Sequence, residues 1–333
     1  MNRYFRAWAR VRGVIPAFAA AALALGQTAV NAQDGFPQRA IRLVVGFGPG
    51  TSVDIAARIV AAKVQASIKQ PVVVDNKPGA GSILGLKEVA RANSDGYTLA
   101  MAAMPNISIA PAITANLGFD PQRDLEPVVG IADVDLVLAV TDKRNPGTTL
   151  KEFVDWDRKQ QPIFYGTLGA GTLGHFGGVL FSEAVGIKID VIHYKNVGDM
   201  KVGLVNGDIQ AILLASPVAA TQAKSASVRV LAVTGATRSA SFPDVPTFKE
   251  SGFPAMEFGA WYGIFAPAKT PAAVLDKLNV EFLAATRDPE VRKQLEAAGF
   301  VVNGIGRADF ARLVRTDTER WGRVANAAGL TAK

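Results

Sequence analysis

Short apolar segments of strand length alternate with segments of helical periodicity along most of the chain. Eight apolar runs predict strands at residues 41–47, 71–74, 97–102, 136–140, 163–165, 189–192, 209–213 and 228–233. After the first run, Ile55, Ile59, Val60 and Val64 recur at helical spacing. Unbroken apolar runs are typical of strands buried on both faces in parallel sheets. The pattern therefore predicts an α/β protein with parallel sheets.

The last third of the chain carries helix signals instead. Thr270-Pro271 predicts the N-cap and first residue of one helix, and Asp288-Pro289 predicts the start of another that ends at Gly299. A final helical pattern carries five apolar residues: Phe310, Leu313, Val314, Trp321 and Val324. We expect these helices to cover the part of the fold with which the chain begins.

The N-terminus has the three parts of a secretory signal peptide. An apolar run at residues 14–25 is followed by small side chains at Val30 and Ala32 and is preceded by four arginines, Arg3, Arg6, Arg10 and Arg12. A helix that spans a bilayer needs about 20 apolar residues, so an uncleaved membrane anchor is the weaker alternative. We predict that residues 1–32 are a signal peptide, cut after Ala32, and that the mature protein lies in the periplasm.

Charge and cysteine content exclude several classes of function. Removal of the four arginines lowers the formal net charge from +7 to +3, which leaves little support for a nucleic-acid partner. The sequence has no cysteine, so disulfides, zinc-thiolate sites and thiol nucleophiles are excluded. We expect a monomer that binds no nucleic acid.

The length of the mature chain predicts two lobes, because one hydrophobic core rarely serves so many residues. The order of the predicted elements assigns residues 33–133 and 256–333 to lobe 1 and residues 134–255 to lobe 2. A cleft then lies between the lobes, and ligands of such sheets bind beyond the carboxyl ends of strands.

The first loop of interest follows the first predicted strand and spans residues 46–54. Its glycines allow backbone N–H groups to approach a ligand, and the helix that follows favours an anion at its N-terminus. The loop lacks the third glycine of a dinucleotide fingerprint and the Gly-Lys-Ser/Thr of a phosphate loop. An anion site and an ordinary tight turn both remain open for this loop.

A second glycine-rich loop, residues 166–175, also lies between a predicted strand and a helix. Thr172 can cap that helix, whose free N–H groups can hold a carboxylate. Two such loops suit a dicarboxylate, or a carboxylate with a polar tail. Neither loop contains arginine or lysine, so binding would depend on backbone and hydroxyl donors.

Catalytic and metal-binding motifs are missing from the sequence. It has two histidines, His175 and His193, but no Gly-x-Ser-x-Gly and no His-Glu-x-x-His. We expect His175 to orient its loop by hydrogen bonds and Asp54 to brace the first loop. Trp261 and Tyr262 are interpreted as packing residues. We therefore predict no catalytic residue, no metal site and no cofactor.

Several motifs follow one another in order along the mature chain. They include Pro37-Gln38-Arg39-Ala40-Ile41, Phe47-x-Pro49-Gly50…Asp54, Asn76-Lys77-Pro78-Gly79-Ala80-Gly81, Asp95-Gly96-Tyr97, Gly169-x-Gly171-Thr172…His175, Tyr194-Lys195, Phe242-Pro243-Asp244 and Trp261-Tyr262-Gly263. With these motifs the chain resembles the substrate-binding proteins of tripartite tricarboxylate transporters, the Bug family. The resemblance covers essentially the whole mature chain.

The resemblance implies a type II periplasmic-binding-protein fold, with two α/β lobes that close on a ligand. It also implies ligand-binding roles for particular residues. One carboxylate would rest on the first loop, at Phe47, Gly48, Gly50, Thr51 and Ser52. The other end would meet the second loop, at Gly169, Ala170, Gly171, Thr172 and His175. Ala103, Met104 and Asn106, after the third strand, would line the cleft.

The chain departs from the family pattern where an acidic residue is replaced near Leu214. The loss of acids points away from amino acids, and Leu214 suits an apolar ligand body. We expect a dicarboxylate or an aromatic carboxylate such as terephthalate, delivered to an integral membrane permease. Two alternatives are a protein that presents the ligand to a membrane sensor, and a periplasmic hydrolase that uses His175 and Asp54.

Overall fold

The computed structural model describes residues 35–170, 172–222 and 228–327. The predicted signal peptide, residues 1–32, lies outside these ranges, and so does Gly171 of the second loop. The described residues from Arg39 onwards belong to one structural unit. Within the described ranges, no helix combines the length and apolar character needed to cross a membrane.

The described part of the chain alternates strands and helices, as the apolar pattern predicts. Its strands are β1 Ile41–Val45, β2 Val72–Asn76, β3 Thr98–Ala103, β4 Leu125–Val134, β5 Leu136–Thr141, β6 Ile163–Thr167, β7 Ile189–His193, β8 Ala211–Ala215, β9 Val228–Val233, β10 Ala260–Pro267 and β11 Val301–Ile305. Its helices are α1 Ser52–Ile68, α2 Ile83–Ala90, α3 Ala110–Ile113, α4 Pro121–Asp124, α5 Leu150–Asp157, α6 Leu173–Val185, α7 Val197–Asn206, α8 Ser216–Gln222, α9 Ala272–Arg287, α10 Pro289–Ala297 and α11 Arg307–Ala327.

The strands form two separate sheets, one in each lobe. The lobe 1 sheet has the order β11-β4-β10-β3-β1-β2, and the lobe 2 sheet has the order β7-β6-β8-β5-β9. The chain passes from one sheet to the other between β4 and β5, and it returns between β9 and β10. The α/β fold with two lobes is therefore confirmed. The lobe boundaries at 133/134 and 255/256 stay a prediction.

Both sheets are mixed, so the prediction of purely parallel sheets is wrong. β1 is parallel to β2 and β3, and β6 is parallel to β7 and β8. β10 is antiparallel to β3 and β4, and β5 is antiparallel to β8 and β9. β5 and β10 are the first strands after the two crossings. They begin at the edge where β1, β3, β6 and β8 end, so they must run in the opposite direction.

Packing in lobe 2 positions the second loop. Tyr165 on β6 is fully buried in a core that includes Phe153 and Phe181. Its hydroxyl donates to the carbonyl of Gly174 at 2.7 Å and accepts the N–H of Leu213 at 2.9 Å. Burial raises the pKa of Tyr165 and outweighs the hydrogen bond from Leu213, which lowers it. The hydroxyl therefore stays protonated. One side chain therefore ties the start of α6 to β8.

The C-terminal helices cover lobe 1, as expected. Phe310 of α11 is buried against Trp261 and Phe265 of β10, at ring-centroid distances of 5.1 and 5.4 Å. Asp288 caps α10 through the N–H groups of its first turn, which confirms that helix start. The N-cap of α9 is Pro271 and not Thr270, one residue later than predicted.

Candidate ligand-binding cleft

The two glycine-rich loops, one in each lobe, share a threonine-to-glycine hydrogen bond at the start of the following helix. The Thr51 hydroxyl donates to the Gly48 carbonyl at 2.9 Å, and the Thr172 hydroxyl donates to the Gly169 carbonyl at 2.8 Å. Thr51 has φ −75° and ψ 159°, and Thr172 has φ −76° and ψ 160°. Each threonine is the N-cap of the helix that follows it, α1 or α6. The predicted capping by Thr172 is confirmed, since its hydroxyl accepts the N–H of His175.

The hydrogen bonds within these loops change which groups can donate a hydrogen bond to a ligand. Because both threonine hydroxyls give their protons to carbonyls of their own loops, they brace the loops and are not available to a carboxylate. The donors that remain are N–H groups in the first turns of the two helices, which have no intrahelical acceptor. The Ser52 hydroxyl is one more donor, paired with the Tyr262 hydroxyl at 2.7 Å.

Tyr262 belongs to the cleft, although the sequence assigned it to packing. It is 3% exposed, and its hydroxyl reaches Ser52 at the start of α1. Burial raises the pKa of Tyr262 to about 12, against the effect of the Ser52 bond. The phenol is therefore protonated at neutral pH. When it donates to Ser52, the serine hydroxyl keeps its own proton for a ligand.

Asp54 braces the first loop, as expected. It is 2% exposed and accepts the N–H of Gly50 at 2.9 Å, Arg58 Nε at 3.0 Å and Asn76 Nδ2 at 2.9 Å. Burial raises its pKa, but the bonds from Arg58, Gly50 and Asn76 outweigh burial, and the pKa of Asp54 is lowered overall. An ionised carboxylate with three donors is suited to holding a loop and poorly suited to acting as a general base.

An inner chamber of about 80 Å³ lies where the two helix N-termini meet. Its polar lining residues include Thr51 and Ser52 of lobe 1 and Thr172 of lobe 2, and its apolar lining residues include Met200, Leu213 and Leu214. No arginine, lysine, aspartate or glutamate is among the described residues that line it. An anion in this chamber would be held by backbone N–H groups and the Ser52 hydroxyl.

An outer chamber of about 790 Å³ adjoins the inner one, and Phe47, Thr51, Asn106 and Leu168 line both. The residues that characterise its wall are Gly81, Ser82, Asn106, Ala170, His175 and Lys195. Lys195 is the one lysine, arginine, aspartate or glutamate among its described lining residues.

Residues of the two lobes approach each other closely across the cleft. A Cβ atom placed on Gly81 of lobe 1 would lie 2.6 Å from the carbonyl oxygen of Ala170 in lobe 2. On another side, Phe176 of α6 packs edge-to-face on Trp321 of α11, with ring centroids 5.7 Å apart. The cleft is therefore closed in this conformation.

His175 lies on the outer chamber beside the second histidine. The ring centroids of His175 and His193 are 5.5 Å apart, in an edge-to-face arrangement. Burial, and then the neighbouring His193, lower the pKa of His175, so its imidazole is neutral at pH 7. Among the described residues, no group of three or more potential ligands could hold a metal ion.

Most of the predicted site residues line one of the two chambers. Those at the inner chamber are Phe47, Thr51, Ser52, Ala103, Asn106, Thr172 and Leu214. Those at the outer chamber are Phe47, Gly48, Thr51, Asn106, Gly169, Ala170 and His175. Gly50 lines neither chamber, and its N–H group donates to Asp54. Met104 is buried at the end of β3 and also lines neither, and Gly171 lies outside the described residues.

Several lining residues were missed as site residues by the sequence reasoning. They include Gly81 and Ser82 in the outer chamber, and Leu136, Met200, Leu213 and Tyr262 in the inner one. The Pro-Gly-Ala-Gly motif before Ser82 was a usable signal for the first pair. The apolar residues carried no signal, because a leucine that lines a cavity looks the same in sequence as a leucine in a core.

The fold and the closed interlobe cleft define a periplasmic solute-binding protein. The profile of the tripartite tricarboxylate transporter family receptor matches residues 56–330, and the chain belongs to this family. Its members are substrate-binding proteins and not enzymes. The resemblance to the Bug family is confirmed: BugT of Bordetella pertussis is 29% identical over 326 residues, 97% of this chain and 99% of BugT.

Solved structures show the same fold with ligands bound. R. palustris Rpa4515 with adipate has a TM-score of 0.84 and 30% identity, over 89% of this chain and 99% of that one. MatC from Rhodopseudomonas palustris with malate has a TM-score of 0.81 and 27% identity, over 87% of this chain and 99% of that one.

Proposed function

We propose that this protein captures a small organic carboxylate between its lobes and delivers it to the permease of a tripartite tricarboxylate transporter. The observation that carries the proposal is the convergence of two helix N-termini, one from each lobe, on one small closed chamber. Each N-terminus carries roughly half a positive charge and several unpaired N–H groups. An anion that contacts both therefore stabilises the closed form and couples binding to closure.

The electrostatics of the chambers favour carboxylate over phosphate. A multiply charged phosphate usually recruits arginine, and none lines either chamber among the described residues. The single charge of a carboxylate matches the partial charges of two helix ends and the Ser52 hydroxyl. Lys195, on the outer chamber, is placed to meet a second anionic group of a longer ligand.

The shape of the chambers supports a ligand with an apolar body. Met200, Leu213 and Leu214 line the inner chamber, so methylene or aryl groups that contact them replace water at a gain of about 25 cal/mol per Å². A dicarboxylate such as adipate, which occupies the similar R. palustris protein, or an aromatic acid such as terephthalate has this character.

A thermal-shift screen of protein purified from the periplasmic fraction tests the proposal. The panel contains adipate, malate, citrate, benzoate, nicotinate, the phthalate isomers, terephthalate and amino acids, each beside its neutral amide where one exists. A ligand at one hundred times its Kd adds about 2.7 kcal/mol and raises Tm by several degrees. We expect shifts with carboxylates and none with the amides. Absence of a shift across the panel would contradict carboxylate binding.

Transport is tested separately from binding. Deletion of the gene should abolish uptake of the carboxylate found in the screen, measured with radiolabelled ligand, and the plasmid-borne gene should restore it. If the deletion leaves uptake unchanged but abolishes the transcriptional response of the cell to the carboxylate, a protein that presents the ligand to a membrane sensor is favoured instead. Conversion of the bound ligand to a product, lost in His175→Ala, would favour a hydrolase.

A further inference from the structure

A concavity of about 370 Å³ lies on the surface of lobe 2, where the end of α5 meets the start of β6 and the residue before β8. The residues that characterise its wall are Arg144, Trp156, Asp157, Pro162, Phe164 and Gln210. β6 and β8 run in parallel from this concavity to the inner chamber, which their last residues, Thr167 and Ala215, line. At about 3.3 Å per residue, β6 separates the two sites by about 13 Å. The concavity is therefore at the end of lobe 2 remote from the cleft.

Two large aromatic side chains of this concavity are exposed. Trp156 and Phe164 are each 39% exposed, whereas Phe153 and Phe181 in the core of the same lobe are fully buried. The indole N–H of Trp156 donates to the carbonyl of Arg144 at 3.0 Å, which holds the ring beside the arginine. Tryptophan and arginine are enriched among the residues that dominate binding at protein interfaces. This surface therefore has the composition of the centre of a protein–protein interface.

Two hydrogen-bond donors on the concavity lack acceptors. The guanidinium of Arg144, an exposed residue, forms no ion pair with the described residues. Gln210 is 8% exposed, its Oε1 accepts the N–H of Phe164 at 2.7 Å, and its Nε2 donates to no described residue. This bond determines the amide orientation, because the flipped amide would set two donors against each other. A partner that binds here must therefore supply acceptors.

The charge of the concavity selects an acidic partner. Asp157 is the one acid among the described residues of its wall, and it is 1% exposed, so its carboxyl lies beneath the surface. Arg144 is therefore the charged side chain that this wall presents to a partner. The complementary surface carries a carboxylate for Arg144 and an apolar side chain for the two rings.

We propose that this concavity docks an acidic periplasmic segment of the membrane permease. The proposal rests on the proposed delivery of a carboxylate to a permease, and it adds the surface of this chain that makes the contact. A carboxylate of the segment pairs with Arg144, a backbone carbonyl accepts from Gln210, and an apolar side chain packs on Trp156 and Phe164.

Docking at this surface does not depend on whether the cleft is closed. The residues of the concavity all belong to lobe 2, and a movement of lobe 1 leaves their arrangement unchanged. The permease can therefore hold lobe 2 while lobe 1 moves away and releases the ligand. A docking surface shared between the lobes would be broken by the same movement.

Three variants test the surface in a deletion strain that carries the gene on a plasmid: Trp156→Ala, Phe164→Ala and Arg144→Glu. The probe is radiolabelled adipate, malate or terephthalate, whichever gives the largest thermal shift with the wild type. At limiting expression we expect uptake to fall at least about tenfold in each variant, because each removes a central contact of the interface. Calorimetry on the purified variants should give the wild-type Kd for the same acid.

Val280→Ala and Arg315→Glu are matched controls on the helices of lobe 1. Val280 is 57% exposed, and Arg315 is an exposed arginine without an ion pair among the described residues. Both variants should transport like the wild type. Arg144→Lys keeps the charge and should retain more uptake than Arg144→Glu. Because Arg144 is exposed, Arg144→Glu decides the question if an aromatic variant does not fold.

The outcomes separate the two proposals. If no acid of the panel binds, or if deletion of the gene leaves uptake unchanged, the proposed function fails and the docking surface fails with it. Full uptake in the three variants would overturn the docking surface and leave delivery intact. A second calorimetric binding event that Trp156→Ala removes would assign the concavity to a small molecule. A wild-type dimer that Trp156→Ala dissociates, measured by light scattering, would assign it to a second copy of the chain. Either result would overturn the contact with the permease.

Discussion

The contact between Gly81 and Ala170 makes closure of the cleft sensitive to a single methyl group. Gly81 has φ +63°, and a Cβ at this position would lie 2.6 Å from the Ala170 carbonyl oxygen in the opposite lobe. Ordinary contact begins at 3.4 Å, so the lobes of Gly81→Ala must separate locally by about 0.8 Å to relieve the overlap. The obstacle is backbone and cannot rotate away as a flexible side chain could.

The expected magnitude has two parts. The left-handed conformation costs alanine about 1–2 kcal/mol, and this cost lowers stability in the open and the closed form alike. The overlap with Ala170 acts on the closed form alone. Overpacking of this kind typically costs about 1–3 kcal/mol, which corresponds to a five- to 150-fold rise in Kd.

Gly186→Ala provides a matched control. Gly186 ends α6 with φ +66°, and a Cβ there has no neighbour within 4 Å. Both variants should therefore lose similar stability in urea unfolding, and only Gly81→Ala should lose ligand affinity by calorimetry. Small-angle scattering should show that ligand compacts the Gly186→Ala variant but compacts Gly81→Ala less.

Two results would refute this reasoning. An unchanged affinity in Gly81→Ala would mean that the bound form does not bring Gly81 against Ala170. An equal loss of affinity in Gly186→Ala would mean that backbone strain, and not the contact across the cleft, controls binding.

Three further predictions concern residues outside this contact. Asp54→Ala removes three hydrogen bonds to a buried carboxylate and should lower the unfolding free energy by about 2–4 kcal/mol, measured in urea. Trp321→Ala removes the aromatic contact with Phe176 and should raise Kd about two- to tenfold without abolishing binding. Burial raises the pKa of Asp157 to about 6, although a hydrogen bond with Asn145 opposes this effect. The folded protein therefore binds this proton more tightly than the unfolded chain does. The stability of the wild type should consequently fall relative to that of Asp157→Asn as the pH rises from about 4 to 6.

A specific result would contradict each of these three predictions. An Asp54→Ala variant as stable as wild type would show that the first loop does not depend on its carboxylate. Trp156→Ala, which alters a half-exposed tryptophan of lobe 2, should leave Kd unchanged; if it weakens binding as much as Trp321→Ala, the contact with Phe176 is not the cause. A stability difference between wild type and Asp157→Asn that is constant from pH 4 to pH 8 would contradict the raised pKa.

Local sequence signals located the strands that are continuous apolar segments, but not three strands of the lobe 1 sheet. The predicted runs at 41–47 and 163–165 correspond to β1 and β6, because buried parallel strands are continuous apolar segments. β4, β10 and β11 were missed. Pro127 and Gly130 interrupt the apolar sequence of β4, and Gly263 interrupts that of β10, although β10 is buried throughout. Val301 of β11 is 63% exposed.

By itself, the sequence determined the two glycine-rich turns and the helices that start at them, because glycine conformation and threonine capping are local properties. Only the tertiary structure decided that both helix N-termini open on one chamber, and that the threonine hydroxyls serve their own loops. The pairing of Tyr262 with Ser52, 210 residues apart, likewise depends on how distant segments of lobe 1 pack together. The sequence determines the chemistry of each side chain, whereas the packing of distant segments determines which polar groups remain free to bind a ligand.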